Sequence, residues 1–141
     1  MSKIFLGGTC NNSDWRDRLI PILENNDINY FNPIVEDWTS ECIEIEENEK
    51  DNVCDIHLFL ITSEMTGVYS VAEMMASATQ SDKKTIFVVI SDGFTKSQIK
   101  SLMATAKLAK KYSNGIFLSH FMNREEKFEV IKEMILFERK R

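Results

Sequence analysis

Two periodicities alternate along the chain. Short β-rich runs occupy Lys3 to Leu6, Ile28 to Phe31, Ile56 to Ile61, Thr85 to Ile90 and Ile116 to Leu118. Stretches with helical spacing of apolar positions separate them. Strands alternating with helices predict a parallel sheet covered on both faces. The runs Ile56–Ile61 and Ile86–Ile90 are almost continuously apolar, as strands buried on both sides should be. The expected fold is α/β: a flavodoxin-like (Rossmann-like) three-layer sandwich with a five-stranded parallel sheet, in one domain spanning 1–141. Ligands of such sheets sit at the carboxyl ends of the strands, near the switch point. The loops after strands one, two and three, and the turn before strand five, are expected to gather there.

The helices carry start signals. Ser13 is placed to cap a helix in which Trp15, Leu19, Ile22 and Leu23 share a face. Pro21 predicts a kink or a restart within it. Thr39 is expected to cap an acidic helix from Ser40 to about Asn52, mostly a solvated face. Thr95 and Gln98 fit a capping box before Ile99, Met103 and Ala106, and Asn123 with Glu126 gives a similar start before Phe128, Ile131 and Ile135.

Composition narrows the function classes. A chain of 141 residues has room for one core that buries about two-thirds of its surface. The net charge is −5, from 17 basic and 22 acidic side chains, which disfavours binding of a nucleic-acid polymer. The basic end Arg139-Lys140-Arg141 suits the negative pole of a helix. No apolar run approaches the ~18 residues of a membrane span, and the short run after Lys3 ends at Gly7, too soon for a signal peptide. Three widely spaced cysteines, Cys10, Cys42 and Cys54, argue for a reducing, cytoplasmic setting. With no CxxC or HxxxH pattern and His57 far from His120, neither a metal nor a cofactor is expected.

Five segments carry candidate chemistry. Gly7-Gly8-Thr9-Cys10-Asn11-Asn12-Ser13 follows strand one and opens a helix. Its glycines allow backbone N–H groups close to a ligand, and the helix start favours an anion; a plain tight turn fits as well. Asn32-Pro33-Ile34-Val35-Glu36-Asp37-Trp38 sets polar groups beside an indole that can stack on a base or complete the core. Thr66-Gly67-Val68-Tyr69-Ser70-Val71-Ala72-Glu73 ends on a carboxylate in the first turn of a helix. Glu73 is either the partner of Ser70 in a capping box or a nucleophile for a glycosidic carbon. One carboxylate of the acidic stretch from Glu41 to Asp51 can point into the same pocket. Asn114-Gly115 reads first as a turn.

Together, Ile4-Phe5-Leu6-Gly7-Gly8, Asp14-Trp15-Arg16, Asn32-Pro33, Cys54-Asp55-Ile56 and Gly67 through Glu73 with its small-residue helix resemble the nucleoside 2-deoxyribosyltransferase superfamily, in order over nearly the whole chain. The superfamily includes transferases that exchange bases on 2-deoxynucleosides and hydrolases of 2-deoxynucleoside 5-monophosphates. The resemblance implies Glu73 as nucleophile. It implies a second acid at Glu47, or at Glu44 or Asp51 if the helix register differs. It also implies an Asn or Ser just before strand five, Asn114 or Ser113, lent by a neighbouring subunit, and hence a homo-oligomer with a shared site.

Gly7, Gly8 and Thr9 are then expected to floor the pocket. The helix start near Asn12 and Ser13 would take a 5-phosphate, and Asn32, Asp37 and Gly67 would lie along the pocket. Trp15, Trp38 and Tyr69 would contact base or sugar. Two positions depart from the pattern: Phe5 replaces a tyrosine, whose hydroxyl Tyr69 or Tyr30 would have to supply, and Gly67 replaces an acid that contacts the base in transferases. These departures leave room for hydrolysis, or for a nucleotide-binding module without turnover. A purely structural or interaction protein is a third reading.

Overall fold

The computed structural model describes residues 2–10, 13–35, 37, 39–126 and 128–141. Five strands, β1 (Lys3–Gly8), β2 (Asn29–Phe31), β3 (Ile56–Ile61), β4 (Lys84–Ile90) and β5 (Ile116–Met122), alternate with helices α1 (Trp15–Asn25), α2 (Ser40–Asn48), α3 (Tyr69–Ala78), α4 (Lys96–Tyr112) and α5 (Glu129–Lys140). Between α2 and β3 the chain makes a π-helical turn, Glu49–Val53. All strand pairs are parallel, in the order β2-β1-β3-β4-β5. The three-layer flavodoxin-like arrangement expected from the periodicity is therefore present.

Alternation along the strands divides the core. Ile56, Leu58 and Leu60 join Trp15, Leu19 and Leu23 of α1 and Ile131 and Ile135 of α5 in one layer. Phe59 and Ile61 point the other way, onto Met74 and Ala78 of α3 and Leu102, Ala106 and Ala109 of α4. α2, which links β2 to β3, buries no residue. Among the described residues, no helix is long and apolar enough to cross a membrane.

The chain leaves β1 towards β2 on one side and returns to β3 on the other, so a crevice opens where the carboxyl ends of β1 and β3 diverge. Gly8, at φ +117°, brings the β1 end so near β3 that a Cβ there would lie 2.2 Å from the Leu60 carbonyl oxygen. No other residue type fits that approach.

Several local expectations need correction. Asp14, not Ser13, is the residue before α1; the Ser13 hydroxyl instead meets that of Thr62 at 3.4 Å. Pro21 lies inside an uninterrupted α1. The carbonyl that loses its donor one turn back belongs to Asp17, which is exposed to solvent. Asn123 Oδ1 accepts the Glu126 N–H at 3.0 Å, but this closes a separate turn, and α5 begins at Glu129. The capping box at Thr95 and Gln98 forms as expected, with bonds of 3.1 and 2.8 Å. The turn at Asn114-Gly115 precedes β5, and in an all-parallel sheet that places it at the opposite end from the crevice.

Candidate active site

The crevice is a cleft of about 620 Å³. Gly7, Gly8 and Thr9 lie along it from the end of β1, Pro33, Ile34 and Val35 from the loop after β2, and Met65, Thr66 and Gly67 from the loop after β3. Arg16, Glu46, Tyr69, Ser70 and Glu73 bring polar groups to its walls.

The end of β1 is held by side chains. Its carbonyls run beyond the reach of the short β2, so donors arrive from α1 and α3. Arg16 donates to Leu6 O from Nε (3.1 Å) and Nη2 (2.9 Å), and to Thr9 O from Nη1 (2.8 Å). The Trp15 indole N–H also donates to Thr9 O, at 2.9 Å. The Thr9 hydroxyl accepts the Thr62 N–H at 3.0 Å, and the Ser70 hydroxyl donates to Gly8 O at 3.0 Å. Burial pulls the Arg16 guanidinium below its ordinary pKa, opposed by Cys10, Glu46 and Glu73. It still carries its charge, since arginine does not deprotonate in proteins.

The bond from Ser70 to Gly8 removes one of the two readings of Glu73. Because α3 starts at Tyr69, Ser70 lies within the helix and its hydroxyl is taken by β1. The capping-box reading of Ser70 and Glu73 is therefore overturned. The Glu73 carboxylate faces the cleft and accepts from Lys50 Nζ through Oε2 at 2.6 Å. The two side chains are 11% and 18% exposed. Burial alone would lower the Lys50 pKa, but its bond to Glu73 and the charges of Glu73, Tyr69 and Glu46 outweigh that and raise it. Behind the pair lies a smaller cavity of about 220 Å³, bordered by Lys50, His57, Tyr69, Glu73 and Ser77.

The second carboxylate in the cleft is Glu46, not Glu47. Cys42, Glu46 and Lys50 form the half-buried stripe of α2 and the π turn, while Glu44 and Glu47 are exposed. Burial first, and then the charge of Glu73, raise the Glu46 carboxyl above its ordinary pKa; Lys50 and Arg16 oppose this.

Other candidates fall elsewhere. Trp15 is 1% exposed and completes the core, so it contacts neither base nor sugar. Asn32 Oδ1 accepts the Ile34 N–H at 3.1 Å and closes its own loop. Asp37 is exposed and Ser13 half-buried, both off the cleft. Tyr30 donates to Glu24 at 2.7 Å on the surface, which leaves only Tyr69 to bring a tyrosine hydroxyl to the cleft. Asn12 and Trp38 lie outside the described residues. Asn114 sits at the amino end of β5, beyond reach of its own cleft. Arg16 and Glu46 in the cleft, and Lys50 at the smaller cavity behind it, were the polar residues missed; the i, i+4 spacing of Cys42, Glu46 and Lys50 was the available signal for two of them.

A model of the nucleoside 2-deoxyribosyltransferase-like family matches residues 1–94. The chain belongs to this family. The match runs from β1 through β4 and contains every cleft residue named above, whereas Asn114 falls outside it. No curated protein and no solved structure matched the chain.

Proposed function

We propose that this member of the family cleaves or transfers the N-glycosidic bond of 2-deoxynucleosides or their 5-monophosphates, with Glu73 as the nucleophile. The observation that carries the reading is the Glu73 carboxylate, directed into an open cleft at the switch point beside a second carboxylate, Glu46. Retaining cleavage of a glycosidic bond needs two such groups and passes through an oxocarbenium-like state. A Glu73 oxygen bonds to the sugar C1 as the C1–N bond breaks. The bonding pair leaves with the base nitrogen, which takes a proton from Glu46. Water, or a second base, then attacks C1 and breaks the glycosyl ester, giving its proton to the Glu46 carboxylate and freeing Glu73. A carboxyl with a raised pKa suits the proton-donor half of this cycle.

Gly7 and Gly8 bring backbone to the floor of the cleft, and Tyr69, 73% exposed at the rim, offers a ring for the base. The guanidinium of Arg16 bonds to backbone carbonyls and, among the described residues, contacts no carboxylate, so its charge favours an anionic substrate such as a 5-monophosphate. Ile43 and Ile45 of α2 and Val68 beside the cleft are exposed, which supports a second copy covering this rim and bringing Asn114 to it.

The test is Glu73→Gln against wild type, with free base measured by chromatography from four 2-deoxynucleosides and their 5-monophosphates. Wild type releases base from at least one, and the variant loses about a thousandfold or more. Equal release from both proteins removes Glu73 as nucleophile. The close Lys50–Glu73 pair, with Phe5 offering no hydroxyl, favours a second reading in which the cleft binds nucleotides without turnover. Calorimetric binding with no product after long incubation selects it.

A further inference from the structure

Lys50 is held in place far more firmly than a surface lysine. It sits in the π-helical turn between α2 and β3, a kind of turn that concentrates at functional positions. Its carbonyl oxygen lies 2.7 Å from His57 Nε2. A carbonyl only accepts, so Nε2 carries the proton and Nδ1 accepts from the Ser77 hydroxyl at 2.8 Å. The Ser77 oxygen in turn accepts from Thr85 at 2.7 Å. His57, Ser77 and Thr85 are all buried. From the other side, Lys83 Nζ donates to Asp51 O at 2.9 Å and to Cys54 O at 3.0 Å, securing the rest of the turn. The Lys50 ammonium then passes over the Phe5 ring, 5.8 Å from its centre, and reaches Oε2 of Glu73. Among the described residues, no hydrogen bond reaches the other oxygen, Oε1.

We propose that Lys50 is the positioning residue for Glu73: it fixes one carboxylate oxygen and leaves the second oxygen for the sugar carbon. This rests on the reading of Glu73 as nucleophile. The charged groups facing Glu73 are Lys50 from the π turn, Glu46 from α2 and Arg16 from α1, with Tyr69 on its own helix. Of these, only Lys50 touches the carboxylate, so replacing it takes away the cation in contact with Glu73.

The test compares Lys50→Met, Lys50→Arg and Glu73→Gln with wild type. The pH dependence of base release is followed on the same deoxynucleosides and 5-monophosphates. Lys50→Met is expected to lower kcat about tenfold or more, with less change in KM, and to move the acidic limb of the profile to higher pH. Lys50→Arg restores the limb. A merely structural tether lowers the folded fraction and leaves the limb in place. An unmoved limb and wild-type kcat in Lys50→Met, with turnover lost in Glu73→Gln, overturns the proposal and spares the reading of Glu73.

Carbodiimide modification at pH 6, with all altered Glu73 counted by peptide mass spectrometry, needs no turnover. Faster modification of Glu73 in Lys50→Met than in wild type supports the hold of Lys50 on it, and equal rates overturn that hold. Absence of base release from wild type instead defeats the nucleophile reading.

Discussion

The imidazole of His57 holds the backbone carbonyl of Lys50 at 2.7 Å, from a position with no exposed surface. Burial is the main cause that pushes the His57 pKa down to about 4; the bond to Lys50 O opposes it, and the Lys83 charge adds to it. The folded protein therefore keeps His57 neutral where an unfolded chain takes up a proton. The stability this confers is complete above pH 6.5 and is lost as pH falls towards 4. Linkage sets the change on the order of 3 kcal/mol. Urea unfolding between pH 7.5 and 4.5 should show this slope in wild type and a shallower one in His57→Gln. Equal slopes would show that another group governs the acid limb.

Arg16 is the tie between α1 and the end of β1. Replacing it with Met leaves the Leu6 and Thr9 carbonyls without their guanidinium donors. Thr9 O keeps the Trp15 indole N–H, so the loss falls on Leu6 O; an unsatisfied buried acceptor costs about 1–3 kcal/mol, and Arg16→Met is expected to lose about 2 kcal/mol in urea unfolding. Lys50 and Glu73 stay in place, but the floor of the cleft loosens. Arg16→Lys recovers little, because an ammonium does not reproduce the planar fork that reaches two carbonyls at once. Full recovery by Lys would mean that charge alone sustains the site.

The sheet was legible because doubly covered strands leave an unbroken apolar record: Ile56–Ile61 matches β3 at both ends. The Thr95 box was legible because both of its partners lie within one turn. Glu46 rather than the expected Glu47 lines the cleft, and the register was hidden by the π turn Glu49–Val53, which holds more residues per turn than an α-helix. The capping-box alternative at Ser70 could not be dismissed from sequence, because the acceptor of its hydroxyl, Gly8 O, is 62 residues away. Lys50 was hidden in an acidic run, and only the approach of α3 gives it a partner. What local spacing records was readable, and what a distant strand or helix decides was not.

Glu46 carries a carboxyl whose pKa is raised by burial and by Glu73. A raised acid contributes stability below its unfolded pKa and loses it as pH rises through the folded value. Glu46→Gln should therefore be more stable than wild type at pH 8 and equal to it below about pH 4.5. If Glu46 delivers the proton to the departing base, the same variant releases base more slowly at pH 6. Greater stability with unchanged release would assign the proton to another group.

Gly8 and Gly67 both border the cleft but answer to opposite constraints. At Gly8, φ is +117° and an added Cβ would lie 2.2 Å from Leu60 O, a backbone atom that β3 pairing holds fast. Gly8→Ala must shift β1 away from β3 or leave that φ, either of which also disturbs the Ser70 bond to Gly8 O. A loss of about 3 kcal/mol or more is expected. Around Gly67 no atom lies within 4 Å of a built Cβ, so Gly67→Ala is expected to stay within about 0.5 kcal/mol of wild type. Chemical denaturation of the two variants side by side checks the contrast. Equal losses would mean that the β1–β3 approach is not what requires glycine at the cleft floor.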